Sequence, residues 1–353
     1  MSYIPPVTHI MPLTTIRREW RLPAPGTIAV RVNERINAYD VVAESETTAH
    51  HVILDIARAL NVPEDLASRH LLCDVGDRLA PGDRIAVGKG WLKRTIRAPA
   101  NGRVVAISEG RVLFEVLEKP YEMQAIFPCV VVDTDGIRTI SVETTGALIQ
   151  AVWGNGKRDF GVLRMVAGGS SGTLTTETLD IGLRGSVLVA GSCLQAAPLH
   201  QATELTVRGL ILGSLSAALI PMVKRLEYPV LVLEGFGDVG INNAAYELLK
   251  ANEGKEASLD GTPSQTYSYR RPEVIIPMPS TRRFDLPEDI VPLSPGVRVR
   301  VVRQPHMGEV GVVRELLTRA VSYPNGNMAR SARLDLEGAG SVTVPLDNLE
   351  VIQ

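Results

Sequence analysis

The sequence predicts a multidomain protein that combines α/β and β folds: an N-terminal β domain, a central α/β domain built on a parallel sheet, and a C-terminal β-barrel. Three observations support this fold class. Ala-Pro turns followed by alternating Val and Ile recur in the N-terminal third, apolar runs alternate with helical stretches in the centre, and alternating strands return after residue 294. The 353 residues allow two or three domains of ordinary size.

Composition places the chain among ordinary globular proteins and gives no sign of a membrane segment. Hydrophobic residues make up 45% and charged residues 22%, and the mean hydropathy is +0.08. No apolar run approaches the roughly 18 residues of a membrane span, and the segment 1–6 lacks the features of a secretory signal. We therefore expect a cytoplasmic protein without membrane contact.

The cysteine and histidine residues predict neither disulfides nor a metal site. Cys73, Cys129 and Cys193 are odd in number, lie far apart and form no CxxC pair, so we expect reduced, buried thiols. The six His are scattered along the chain. We expect no metal and no cofactor.

The N-terminal region, expected to span residues 1–125, contains two quasi-repeats at 22–32 and 97–107. Each places an Ala-Pro turn and a glycine ahead of alternating Val or Ile. Between them lies the hairpin sequence Gly76-Asp77-Arg78-Leu79-Ala80-Pro81-Gly82-Asp83-Arg84-Ile85-Ala86. These motifs resemble biotinyl/lipoyl-like barrel-sandwich domains, here with a helical insert at about 49–70.

That resemblance implies a carrier lysine in the exposed hairpin, but this chain lacks its sequence pattern. By alignment with the following strand, Trp91 falls where carrier domains place the modified lysine, and Lys89 and Lys93 only flank it. We therefore expect a structural barrel-sandwich domain, and a biotin- or lipoate-type carrier is the remote alternative.

The same hairpin is strongly basic. From Arg84 to Arg103 it carries six basic residues and no acid, with Trp91 near the tip. Basic residues beside an aromatic ring suit phosphate contacts and base stacking. The candidates for binding a partner or an anion are Lys89, Trp91, Lys93, Arg94 and Arg97. The alternative is a solvated hairpin whose arginines pair with acids elsewhere on the fold.

The central region, expected over 126–255, alternates apolar runs with helical stretches. The runs are 161–167, 186–190, 208–212 and 229–233, and the helical stretches are 194–205, 215–226 and 242–249. Strand starts recur about every 21–25 residues, which favours right-handed βαβ units and a parallel sheet with glycine-rich βα loops.

Those loops would meet at the carboxyl ends of the strands, where open α/β sheets bind ligands. The candidates are Gly168, Gly169, Ser170, Ser171, Gly191, Ser192, Gly213, Ser214, Glu234, Gly235, Gly237 and Asp238. No loop matches a dinucleotide fingerprint or a P-loop, so glycines serving only as turns are the alternative. Cys193 and His200 do not make a convincing nucleophile pair, and catalytic residues stay unassigned.

The chain ends in alternating strands after a segment, 256–293, that its many prolines predict to be a linker. Residues 296–313 alternate Val with Arg, run through a Pro- and Gly-marked turn and continue as a second Val strand, which predicts Val inward and Arg in water. This pattern over 294–353 resembles the KOW motif in its SH3-like barrel. The resemblance implies docking on RNA, ribosome, polymerase or protein, with Arg298, Arg300 and Arg303 as candidate contacts.

Charge balance weakens the nucleic-acid interpretation. Residues 281–353 carry nine basic and nine acidic side chains, and the whole chain has a net charge of −2. We therefore expect a non-enzymatic binding or adaptor protein, of a bacterial multidomain type, that docks on a protein or ribonucleoprotein partner. The alternative is a protein or enzyme subunit that binds a phosphorylated metabolite or nucleotide.

Overall fold

The computed structural model describes residues 3–46, 48–88, 94–117, 120–263, 270–278, 280, 282 and 284–353. These residues form 28 β-strands and only five short α-helices. None of the helices in the described chain is long and apolar enough to cross a membrane.

The strands of the first half are as follows. They are β1 (Val7–Thr8), β2 (Ile10–Arg21), β3 (Thr27–Ile28), β4 (Arg35–Ile36), β5 (Val41–Ser45), β6 (Thr48–Asp55), β7 (Arg78–Leu79), β8 (Arg84–Val87), β9 (Thr95–Arg97), β10 (Gly102–Ser108), β11 (Arg111–Leu117), β12 (Tyr121–Gln124), β13 (Cys129–Thr134), β14 (Thr139–Gln150), β15 (Trp153–Gly154) and β16 (Arg158–Met165).

The second half adds twelve strands and most of the helices. The strands are β17 (Ser186–Cys193), β18 (Gly209–Leu215), β19 (Val230–Phe236), β20 (Glu256–Asp260), β21 (Glu273–Pro277), β22 (Arg298–Val301), β23 (Val310–Leu316), β24 (Val321–Ser322), β25 (Met328–Ala329), β26 (Ser331–Leu336), β27 (Gly340–Pro345) and β28 (Leu349–Ile352). The α-helices of the whole chain are α1 (Ile56–Leu60), α2 (Glu64–Ala67), α3 (Ala197–Glu204), α4 (Ile220–Val223) and α5 (Asn243–Ala251).

The predicted fold class is wrong, because the described chain is mostly β and contains no separate α/β domain. Strands β16, β17, β18 and β19 do pair in parallel. They are only one part of an eleven-stranded mixed sheet in the order β15-β19-β18-β17-β16-β20-β21-β14-β13-β4, with β2 added on β14. Apolar runs buried on both faces predict strands but do not say which strands extend the sheet.

Two of the four glycine-rich loops of the predicted domain are strand rather than loop. Gly191 and Ser192 lie inside β17, and Gly213 and Ser214 lie inside β18. The helix predicted over 215–226 is reduced to a 3₁₀ turn, Ala217–Leu219, and the four-residue α4. Strands β17, β18 and β19 therefore each end three residues later than the apolar runs indicate, and the loops are shorter by that length.

Strand β14 carries a hydrophobic core on each of its faces. Ala147 and Ile149 belong to a core shared with the parallel strands and α5, and this core includes Val310 and Ile352 of the C-terminal sheet. Val142 and its neighbours on the opposite face pack with the N-terminal strands. Because side chains alternate across a strand, one strand joins the two halves of the molecule.

Two further sheets have cores of their own. The four-stranded sheet β6-β11-β10-β7 and helices α1 and α2 enclose a separate core around Phe114. The six-stranded sheet β1-β28-β22-β23-β26-β27 encloses another around Val299 and Leu334. Strand β1 pairs in parallel with β28, which places residues 7–8 beside 351–352. Strands β20 and β21 lie within 256–293, the segment that its prolines predict to be a linker.

Candidate functional site

The glycines and serines predicted to line a ligand crevice do lie close together. They pack against one another and against neighbouring backbone. Gly191 N–H donates to the carbonyl of Gly172, and Ile241 N–H donates to that of Ser170. A Cβ added at Gly213 would lie 2.5 Å from the carbonyl oxygen of Gly191. The absence of side chains at Gly191 and Gly213 therefore lets three stretches of backbone pack at the carboxyl ends of the parallel strands.

The hydroxyl groups in this region also have internal partners. Ser192 Oγ lies 3.1 Å from Thr173 Oγ1. Ser214 Oγ donates to the carbonyl of Gly237 at 3.0 Å and accepts from Val239 N–H at 2.8 Å. Both serines are fully buried, whereas Gly168, Gly169 and Asp238 lie at the surface or partly so. The observed contacts at Ser192 and Ser214 are those of structural residues.

Glu234 and Arg300 meet in a buried ion network that joins the large sheet to the C-terminal sheet. Arg300 Nη1 donates to Glu234 Oε2 at 2.8 Å, and its Nη2 donates to Glu350 Oε2 at 2.5 Å. Glu350 also accepts from Arg271 and from the Thr8 hydroxyl. The Arg300 side chain is only 3% exposed, so it is not available to a surface partner and the prediction that it points into water is wrong.

The electrostatics of this network favour its charged form. Burial alone would lower the pKa of Arg300, but Glu234 and Glu350 outweigh it and raise that pKa above its ordinary value. Burial would likewise raise the pKa of Glu350, yet Arg300 and Arg271 hold it below 4.5. A charge taken out of water is tolerated only when it is paired and hydrogen-bonded in this way.

The basic hairpin is described in part. Lys89, Trp91 and Lys93 lie outside the described residues. Arg84 and Arg97 are exposed and face each other directly across strands β8 and β9.

The side chains of Arg97 and Arg94 donate hydrogen bonds to backbone carbonyls. Arg97 donates to the carbonyl of Gly82 at 2.7 Å, and Arg94 donates to that of Ala59 at 3.4 Å. Within the described part of the chain, Arg84, Arg94 and Arg97 form no ion pair.

A second pair of arginines, on strands around the same Phe114 core, does form ion pairs. Arg78 and Arg103 face each other across β7 and β10. Arg78 is paired with Glu46 at 2.8 Å, and Arg103 with Glu115 at 2.8 Å. The alternative of arginines neutralised by acids elsewhere on the fold therefore holds for Arg103 but not for Arg84, Arg94 and Arg97.

The three surface arginines on the strands of the C-terminal sheet are neutralised. Arg298 lies 3.4 Å from Glu337, Arg333 lies 2.7 Å from Glu315, and Arg314 is paired with Asp335. Arg303, Arg319 and Arg330 lie outside these strands, are exposed and form no ion pair with a described residue. The acids and bases of this region are thus paired on the strands but not in the segments between them.

A row of polar residues across four strands, buried except for Arg158, is absent from the sequence-based predictions. In register, Arg158 of β16 faces Asp260 of β20, Asp260 faces Glu273 of β21, and Glu273 faces Gln150 of β14. Asp260 and Glu273 would repel each other, but three arginines neutralise them. Arg18 binds Glu273 through two nitrogens at 2.6 and 2.5 Å, while Arg158 and Arg270 bind Asp260 at 3.1 and 2.9 Å.

Three members of the row, Arg158, Glu273 and Gln150, line a cleft of about 800 Å³. Burial would raise the pKa of Asp260, but Arg158, Thr262 and Arg270 hold it below 3.8. His9 at the margin of the cleft has a lowered pKa, because it is buried. No single stretch of sequence signals this site, since its members come from positions far apart and meet only through the strand register.

The described residues include no group of three or more His, Cys, Asp or Glu placed to hold a metal ion. No protein-family model matches this chain, and no curated protein matches it significantly in sequence.

Proposed function

We propose that this chain is a non-enzymatic adaptor protein that docks on an acidic surface of a protein partner through the hairpin β8–β9. The observation that supports the proposal most directly is the facing pair Arg84 and Arg97, which has no carboxylate partner in the described structure. Like charges directly opposite each other destabilise a sheet. An acidic surface that binds both arginines would remove this repulsion.

The surrounding module suits a docking role because it has its own core and its own sheet. The core around Phe114 is formed by residues from within 52–116, and the sheet β6-β11-β10-β7 shares no strand with the large sheet in the described chain. Such a module presents its hairpin as a separate surface. The resemblances to a barrel-sandwich domain and to a KOW-type SH3-like barrel are in keeping with a protein assembled from docking modules.

The charge distribution favours a protein partner over nucleic acid. Affinity for nucleic acid rises with the number of phosphates that a basic surface neutralises. The arginines of the C-terminal sheet at 298, 314 and 333 are each paired with an acid, and the chain has a net charge of −2. Arg84 and Arg97 form a small patch, which fits an acidic protein surface better than a long polyanion.

The test compares two double variants with the same loss of charge. Arg84→Gln with Arg97→Gln removes the unpaired arginines, and Arg78→Gln with Arg103→Gln removes the pair already neutralised by Glu46 and Glu115. Binding to a labelled polyglutamate peptide and to a labelled single-stranded RNA of equal charge is followed by fluorescence anisotropy at roughly 50 and 200 mM salt.

We expect the first variant to weaken peptide binding about tenfold, equivalent to 1.4 kcal/mol, and the second to change it little. Equal losses in both variants would show that the facing pair is not a specific contact and would refute the proposal. Tighter, Arg84-dependent binding to RNA than to the peptide would replace the protein partner with nucleic acid.

A further inference from the structure

The cleft beside the buried polar row follows the free edge of strand β2. Within the described chain β2 pairs only with β14. The carbonyls of Arg17 and Glu19 at this edge accept N–H groups from Arg18 and Arg270. Because the cleft wraps around an edge strand, side chains from both faces of β2 line it.

The lining of the cleft is rich in arginine. It contains five arginines and three carboxylates, together with hydroxyl and apolar groups. The arginines are Arg17, Arg18, Arg21, Arg158 and Arg270, and the carboxylates are Glu19, Glu273 and Asp289. Glu143 and Asp260 lie outside this lining but pair with Arg17, Arg158 and Arg270, and Glu273 pairs with Arg18. Arg21 is therefore the one arginine of the lining that forms no ion pair with a described residue.

Part of this arginine set is held in place by the buried row. Arg18 is fixed by both oxygens of Glu273, which is 3% exposed at its side chain, and Arg158 uses Nε for Asp260. Arg158 makes no other hydrogen bond to a described residue, so both of its Nη groups remain as donors. Guanidinium groups fixed in advance lose less conformational entropy when they bind a ligand.

Arg21 supplies charge that the cleft itself does not neutralise. It lies opposite Thr139 on the exposed face of β2 and forms no ion pair with a described residue. Arg17 on the same face lies 2.8 Å from Glu143 and is 55% exposed. The positive charge that a ligand can reach is therefore that of Arg21, together with the Nη groups of Arg158.

We propose that this cleft binds a small phosphorylated molecule, with Arg21 and Arg158 as its principal donors. A carboxylate is satisfied by a single bidentate arginine. A phosphate group has three acceptor oxygens and up to two negative charges, and so accommodates several arginines at once. The cleft volume of about 800 Å³ lies within the range of small-molecule sites, and Leu286 and Pro287 offer apolar contact to the rest of such a molecule.

The proposal is independent of the hairpin β8–β9, because the two sites share no residue. It is tested with the full chain and inorganic pyrophosphate as the probe, by isothermal titration calorimetry at constant ionic strength and by thermal melting. We expect measurable binding and a rise in melting temperature, since a ligand that binds only the folded state stabilises it.

Arg21→Gln is the diagnostic variant because its side chain is exposed and its loss leaves the buried row intact. We expect it to weaken pyrophosphate binding roughly tenfold. Arg225→Gln, an exposed arginine after α4 and outside the cleft lining, is the matched control and should bind like the parent chain.

Three results would overturn the proposal. The first is the absence of both binding heat and a melting shift at millimolar pyrophosphate. The second is equal weakening by Arg21→Gln and Arg225→Gln, which would indicate non-specific attraction. The third is binding of citrate at least as tight as that of pyrophosphate, which would assign the cleft to polycarboxylates.

Discussion

At the scale of single residues, Arg300 is the most consequential side chain of the C-terminal sheet. It pairs with Glu234 and Glu350 in the interior. Removing one partner of a buried ion pair leaves an uncompensated charge. We expect Arg300→Met to lower the free energy of unfolding by about 3–5 kcal/mol, as measured by urea denaturation.

The control for this prediction is Arg314→Met. Arg314 is paired with Asp335 at the surface and its side chain is 68% exposed, so its loss should cost less than about 1 kcal/mol. Similar costs for the two variants would show that the buried network contributes nothing beyond an ordinary surface pair.

The same network makes stability depend on pH in a defined direction. Arg300 and Arg271, working against burial, hold the pKa of Glu350 in the folded protein below its ordinary value of 4.5. The folded state therefore binds its proton less readily than the unfolded state, so the contribution is complete above pH 4.5 and is lost as the pH falls below it. We expect the urea midpoint to fall on acidification in this window.

Glu350→Gln identifies the group responsible. It should be less stable at neutral pH, because Arg300 loses a charged partner, and its midpoint should fall less steeply on acidification. An unchanged acid slope in this variant would assign the pH dependence to other carboxylates, of which Asp260 is the next candidate.

At the scale of secondary structure elements, the packing of β17 against the 166–172 loop depends on a missing side chain. A Cβ at Gly191 would lie 2.7 Å from the carbonyl carbon of Ser171, whereas one at Gly168 meets no atom within 4 Å. We expect Gly191→Ala to destabilise the protein by about 1–3 kcal/mol or more, measured by thermal and urea unfolding. Gly168→Ala should stay within about 0.5 kcal/mol of the parent chain, and equal effects would contradict this packing.

The sequence could predict many strands but not how they assemble. Apolar runs at 161–167 and 186–190 correctly indicate β16 and β17. Nothing local indicates that β14 pairs with β2 on one side and β21 on the other, more than a hundred residues away in each direction. The expected α/β domain fails for this reason, because periodicity reports burial and not the neighbouring strand.

Periodicity also fails to predict the environment of some individual side chains. Alternation predicts that Arg298 and Arg300 both face water, and this is correct only for Arg298. Strand β22 ends under the large sheet, so both of its faces are buried there. Glu234 and Arg300 could each be singled out in sequence, but nothing there indicates that they pair with each other or that Glu350 joins them. Arg158, Asp260 and Glu273 stand in sequence as isolated polar residues.

At the scale of the whole molecule, the three cysteines lie in three different hydrophobic cores. Cys73 lies in the core around Phe114, Cys129 in the core beside β14, and Cys193 in the core under α3 and α4. Burial raises the pKa of all three thiols, to about 12 for Cys129 and about 11 for Cys193. Because the thiolate is the reactive form, we expect none of them to react with Ellman's reagent in the folded protein.

Stepwise addition of urea should then expose the thiols in order. Cys73 belongs to the separate sheet β6-β11-β10-β7, whereas the cores of Cys129 and Cys193 both pack on the large sheet. We expect Cys73 to react at a lower urea concentration, since regions with fewer shared contacts open first. Single-cysteine variants resolve the three midpoints, and coincident midpoints would show that the chain unfolds as one cooperative unit.

The parallel pairing of β1 with β28 has a consequence for how the protein is made. Val7 and Thr8 can find their partners only after Val351 and Ile352 have been synthesised. Before residue 300 is added, Thr8 has not yet met Glu350 and Glu234 has no Arg300 to pair with. The six-stranded sheet that contains β1 and β28 is thus completed only after residue 352 has been translated. Until then its unpaired strand edges are exposed and can associate with other chains.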